Sequence, residues 1–131
     1  MAKKNPDRKQ AVAADRLSLR VDLASGARIG PGKVAVLSEI ARTGSISAAG
    51  RALKMSYRRT WALVEEMNTS LGAAVVEASS GGQGGGGAKL TAAGHAVIDC
   101  YQAIAADCEA ASARHFATLN AALNVPLGVG R

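Results

Sequence analysis

Two serines bound the stretch SISAAGRALKMS, Ser45 and Ser56, and each is placed to start a helix, because its hydroxyl can accept an N–H that the first helical turn leaves unpaired. Between the two starts there is room only for a short helix carrying Ile46, Ala49 and Leu53, and for a break at Lys54-Met55. Any fold for this chain must therefore lay two helices across a tight turn. Ala48, Ala49, Gly50 and Ala52 are small enough to let them lie close. An earlier helix precedes them, with Pro31 tolerated in its first turn, an apolar face of Val34, Leu37, Ile40 and Ala41, and Gly44 as a left-handed stop just past Thr43.

Around the helix that Ser56 opens, at about 100° per residue, Tyr57, Trp61, Val64, Met67 and Leu71 share one arc, read as the core face. Trp61 is expected inside it. Tyr57 keeps two readings open, a buried body or a hydroxyl turned toward an anion. Arg58, Ala62 and Glu65 occupy the opposite arc, with Arg59 and Glu66 on its flank. Arginines in a first turn face the positive end of the helix dipole, which disfavours them unless an anion lies in front.

The flanking segments complete the outline. LSLRVDL alternates strictly, so a half-buried strand is predicted over residues 17–23, followed by a loop in ARIGPGK. Val75-Val76-Glu77 and Ala88-Lys89-Leu90 read as strands around a loop too glycine-rich to be helical, hence a β-hairpin. Thr91 can cap a last helix in which Ile98, Tyr101, Ala105, Cys108, Ser112 and His115 recur at steps of three and four, a seam suited to packing on another helix. The period is lost after Phe116. The organisation expected is a disordered basic arm (1–16), a winged helix-turn-helix (17–90), a dimerisation helix (91–116) and a flexible tail (117–131). The fold class is mainly α with a small β-hairpin.

Charge is distributed unevenly. Residues 1–28 hold seven lysines and arginines against three acids, residues 29–70 six against three, and residues 71–131 three against four. A basic first half suits a polyanion, whose counterions lysine and arginine displace. No apolar run approaches the length of about 20 residues that a membrane helix needs, and MAKKNPDRKQ has no signal-peptide core; a cytoplasmic location is expected. Cys100 and Cys108 sit too far apart along one helix to bridge and read as buried thiols. His95 and His115 lack metal-ligand spacing, GGQGGGGAKLT does not complete the G-K-[ST] of a Walker A loop, and no nucleophile, base and acid come together. Neither a catalytic set nor a metal site is expected.

In a winged helix-turn-helix the helix after the turn enters the DNA major groove by its N-terminal residues. Arg58 and Arg59 are then placed to read bases, guanine being the commonest target of a bidentate arginine, with Ala62 allowing close approach. Ser45, Ser47 and Ser56 are candidate phosphate contacts at helix starts, and Lys89 stands at the base of the wing. Glu65 and Glu66 either answer the arginines or accept from a cytosine amine.

The run RIGPGKVAVLSEIARTGSISAAGRALKMSYRRTWALVEEMN, followed by GGQGGGGAKLTAAG, resembles the N-terminal DNA-binding domain of ModE, the molybdate-responsive regulator, and more distantly the LysR-type winged helix. The resemblance runs from about Leu17 to about Ala113. It implies that Ser56, Tyr57, Arg58 and Arg59 lie on the recognition helix, that the wing is Ser79 to Lys89, and that the helix from Thr91 mediates dimerisation; the seam residues Ile98, Tyr101, Ala105, Cys108 and Ser112 are then the expected dimer interface. Where the family wing often carries a basic residue, Gln83 stands here. ModE regulators continue into oxyanion-binding molbindin modules, which are not expected here, so no cofactor is expected in this chain; two alternatives stay open, that the domain acts without molybdate or tungstate or that a separate sensor chain supplies the sensing. The expected partners are double-stranded DNA and a second copy of the chain. The alternative is a protein-interaction module on the same fold without sequence-specific readout.

Overall fold

The computed structural model describes residues 15–79 and 87–123. These residues fall into two compact units, Leu19–Ala103 and one formed by residues 15–18 with 104–123. Arm residues 1–14, the hairpin tip 80–86 with Gln83, and 124–131 lie outside the described residues.

The larger unit opens with a two-residue strand, β1 (Val21–Asp22), paired antiparallel with β2 (Arg28–Ile29) so that Val21 faces Ile29. The strand expected over 17–23 is thus cut to two residues, because a strand extends only as far as its partner. That partner lies in the segment read as a loop. Gly26, at φ 100°, turns the chain, and Leu23 N–H donates to Ala27 O at 2.8 Å. The predicted alternation survives in burial at Leu17, Leu19 and Val21, but Leu23 falls in the turn and is 42% exposed. Arg20 forks onto both oxygens of Asp22 at 2.7 and 3.0 Å, and that hydrogen-bonded guanidinium holds the carboxyl below its ordinary pKa.

α1 (Pro31–Thr43) buries Val34, Val36, Leu37 and Ile40 and stops at Gly44, φ 73°. Ala41 is exposed instead of buried, while Val36 is completely enclosed. The cause is that α1 is packed by α2 (Ile46–Ala52), α3 (Tyr57–Ser70) and the hairpin strand β4 (Gly87–Leu90), over a wider arc than one stripe. Both serine caps form as expected. Ser45 Oγ accepts from Ala48 N–H at 3.0 Å and Ser56 Oγ from Arg59 N–H at 3.1 Å. Between α2 and α3, Met55 N–H returns to Gly50 O at 2.8 Å, and Lys54 takes the left-handed conformation at φ 59°.

The core face of α3 is Thr60, Val64 and Met67 rather than the arc through Tyr57 and Trp61. Thr60 is fully buried because its hydroxyl donates to Ser56 O of its own helix at 2.8 Å, which removes the penalty for enclosing it. Its small body fits beneath α2 at Gly50. That turns the helix so that Tyr57 and Trp61 come out at the edge, 60% and 40% exposed.

β3 (Val76–Ser79) pairs with β4 in the register Val76 to Leu90 and Ser79 to Gly87. Two attachments fix this hairpin. Ala88 N–H donates to Gly44 O at 3.0 Å. Asn68 of α3 accepts from Val75 and Val76 N–H at 2.8 and 3.1 Å and donates to Val76 O at 3.0 Å.

α4 (Ala92–Ala122) opens as predicted on Thr91, whose hydroxyl accepts from Gly94 N–H and donates to Ala74 O. It runs beyond the expected end at residue 116, since the alanine-rich run after Phe116 favours helix without needing an apolar period. Cys100 is exposed and Cys108 partly so; neither is the buried thiol expected, because this stretch of α4 keeps most of its circumference in solvent. In the unit of the two chain ends, Asn120 Nδ2 donates to Asp15 Oδ2 at 2.8 Å. Among the described residues no helix is long and apolar enough to cross a membrane, and no three of His, Cys, Asp and Glu come together as metal ligands.

Candidate nucleic-acid interface

The tight turn and the Ser56 cap set the first turn of α3 at the surface. Arg58 and Arg59 both stand exposed there, and among the described residues neither takes part in an ion pair. Glu66, one of the two carboxylates expected either to answer them or to accept from a base, meets Lys33 Nζ of α1 at 2.9 Å instead. Lys33 also donates to Arg28 O at 2.9 Å, so it is fixed from two sides and holds Glu66 toward α1. Glu65 forms no ion pair among the described residues. Two full positive charges are thus left unanswered at the positive end of a helix dipole, and such an end attracts an anion.

Ala62 is exposed one turn beyond Arg58. Tyr57 and Trp61 form an edge-to-face pair with centroids 6.2 Å apart and planes at 71°. Trp61, expected in the core, instead walls a cleft of about 350 Å³ between the start of α2, the edge of α3 and the hairpin, with Ser45, Ser47, Ala78 and Gly87 around it. A smaller hollow of about 190 Å³ continues beneath Trp61 toward Val64 and Asn68. Ser45 is engaged as a cap, whereas Ser47 makes no side-chain hydrogen bond among the described residues. Lys89, on β4, lies 3.8 Å from Glu77 across the strand pair, so its charge is partly offset. Gln83 falls outside the described residues.

Sequence reasoning passed over three residues of this surface. Arg51, in the last turn of α2, and Lys54, in the turn, are exposed cations beside the arginine pair in sequence. A cation near a helix C-terminus agrees with the dipole and so raised no misfit to notice. Asn68 gave a fainter signal, a lone amide late in an otherwise polar and apolar helical pattern; it joins α3 to the hairpin.

Of the residues expected in the α4 seam, Ile98, Tyr101, Ala105, Cys108 and Ser112 are half-buried and His115 is exposed. Ile98 packs on the core of its own chain, and the Tyr101 hydroxyl donates to Leu19 O at 2.7 Å. These two are occupied internally.

Residues 32–95, from α1 to the first turn of α4, match the bacterial regulatory helix-turn-helix proteins of the lysR family. The molybdenum-pterin-binding protein MopB of Rhodobacter capsulatus is 46% identical over 101 residues, 77% of this chain and 36% of that protein. The transcriptional regulator ModE of Yersinia pestis is 40% identical over 75 residues, 57% of this chain and 28% of its own length. The DNA-binding transcriptional dual regulator ModE of Escherichia coli K12 is 39% identical over 75 residues, 57% and 29%. The chain spans about a third of the length of these relatives. Among solved structures, that of the CbnR DBD–DNA complex superposes with a TM-score of 0.53 at 24% identity, over 67% of this chain and 95% of the other, which establishes the fold.

Proposed function

We propose that the chain, whose residues 32–95 match the bacterial regulatory helix-turn-helix proteins of the lysR family, is a sequence-specific DNA-binding transcriptional regulator that acts as a homodimer on a palindromic operator. α3 is its recognition helix. Arg58 and Arg59 read base edges, Ala62 lets the helix approach, and Ser45, Ser47, Ser56 and Lys89 face phosphates, with Gln83 at the wing. One observation carries this reading: two arginines without carboxylate partners among the described residues, in the serine-capped first turn of the helix that follows the tight turn.

Dimerisation is assigned to α4. With Ile98 and Tyr101 engaged inside the chain, the contact surface centres on Ala105, Cys108 and Ser112, beside the exposed apolar residues Ile104 and Leu119. The role is one of binding in the cytoplasm, with no catalytic step and no cofactor held by these residues. Molybdenum appears in the names of relatives, among them the molybdenum-pterin-binding proteins MopB and MopA of Rhodobacter capsulatus.

Selection of binding sites from random duplex tests the proposal. Enrichment of a palindrome is the expected result, and binding should fall steeply with salt. A pool without any enriched sequence would overturn the reading in favour of a protein-interaction module.

A further inference from the structure

Trp61 and Tyr57 are two of only four aromatic residues in the chain, and both are left exposed on a folded domain whose core is aliphatic. Their rings wall the 350 Å³ cleft between α2, α3 and the hairpin. Its rim carries the Ser47 hydroxyl, free of hydrogen bonds among the described residues, and no residue lining it is acidic. Glu77, which lines the smaller hollow beneath, is paired with Lys89. Arg58 and Arg59 lie between the two aromatic residues in sequence, in the first turn of α3, and are not part of the cleft's lining. A surface of this kind, apolar in its walls and hydroxylated at its rim, on the same helix start as two exposed arginines, complements a sugar–phosphate strand. Deoxyribose offers an apolar face, and phosphate accepts from hydroxyls and guanidinium groups.

We propose that the Tyr57–Trp61 cleft seats one strand of duplex DNA, with a deoxyribose against the two rings and its phosphate on the Ser47 and Tyr57 hydroxyls. This rests on the DNA-binding reading and adds a strand-positioning role for a pair that stands exposed at the edge of α3. A ring with a polar tip suits such a half-wet contact.

Trp61 is the sole tryptophan of the chain, so its fluorescence reports the cleft directly. The full chain is titrated with its selected duplex while binding is followed independently by anisotropy of a dye on the DNA. At saturation the Trp61 emission should move to the blue and its quenching by acrylamide should fall severalfold, and Trp61→Ala should weaken binding to all sequences alike. Binding by anisotropy with Trp61 as accessible as in the free protein would overturn the inference and leave the DNA-binding reading standing. No binding to any duplex would overturn both. Protection that grows with protein concentration in the absence of DNA would assign the cleft to a second copy of the chain and overturn it as well. The Trp61→Ala protein is checked by circular dichroism, and Trp61→Phe, which keeps a ring, should retain most of the affinity.

Discussion

Gly50 lies so close to Thr60 that a β-carbon added to it would stand 2.5 Å from the threonine hydroxyl oxygen. The two residues are the contact point of α2 and α3, and with Met55 N–H on Gly50 O they hold the turn shut. Gly50→Ala should therefore destabilise the domain, overpacking costing about 1–3 kcal/mol against about 1 kcal/mol regained from removing a mid-helix glycine. Urea unfolding of the single variant and of Gly50→Ala with Thr60→Ala checks this: the second substitution should restore part of the loss.

Asn68 supports the hairpin in the same way that Thr60 supports the turn. Asn68→Ala would strip two buried valine N–H groups of their acceptor, a loss on the order of 3 kcal/mol. Asn68→Asp keeps the acceptor, loses the bond to Val76 O, and should cost less. Hydrogen exchange at Val75 and Val76 should accelerate in both, most in the alanine variant.

Arg58→Ala and Arg59→Ala should leave stability within about 0.5 kcal/mol, as expected for surface residues without partners. Each should nevertheless weaken operator binding by roughly 1–3 kcal/mol, with the loss confined to one base position. Competition with single-base operator variants measures it; an equal loss on every variant would mean that the arginine touches phosphate alone.

Lys54 sits at φ 59° in the turn, a conformation that costs a non-glycine residue about 1–2 kcal/mol. Lys54→Gly removes that strain but frees the unfolded chain, so a modest rise in Tm is expected. Loss of a cation near the arginine pair should at the same time lower the dependence of DNA affinity on salt, by about one counterion if Lys54 meets a phosphate. The two readouts separate the backbone role from the charge.

Much of this architecture was legible because single residues carry it. Ser45, Ser56, Gly44 and Pro31 mark helix ends by local chemistry, which acts within a few residues and is visible in a linear string. The hairpin pairing of Val76 and Leu90 followed from a glycine-rich interruption between two short apolar runs. What periodicity misjudged was the roll of α3: Thr60 counts as polar in any apolar pattern, yet a bond to Ser56 O lets it occupy the core, and Trp61 is displaced to the surface. The length of β1 depended on a partner six to eight residues on, in a segment whose glycines and proline read as a loop. The pairing of Glu66 with Lys33 joins two helices across 33 positions, a choice that leaves no local trace.

The bond from Ala88 N–H to Gly44 O joins the hairpin to the very corner from which α2 departs. With Asn68 bonded to the same hairpin from α3, the hairpin and α3 stand like the jaws of a caliper set at one opening. On the DNA-binding function proposed above, a half-site with one base pair inserted between the two places they would grip should be held less tightly, unless the duplex bends to close the gap.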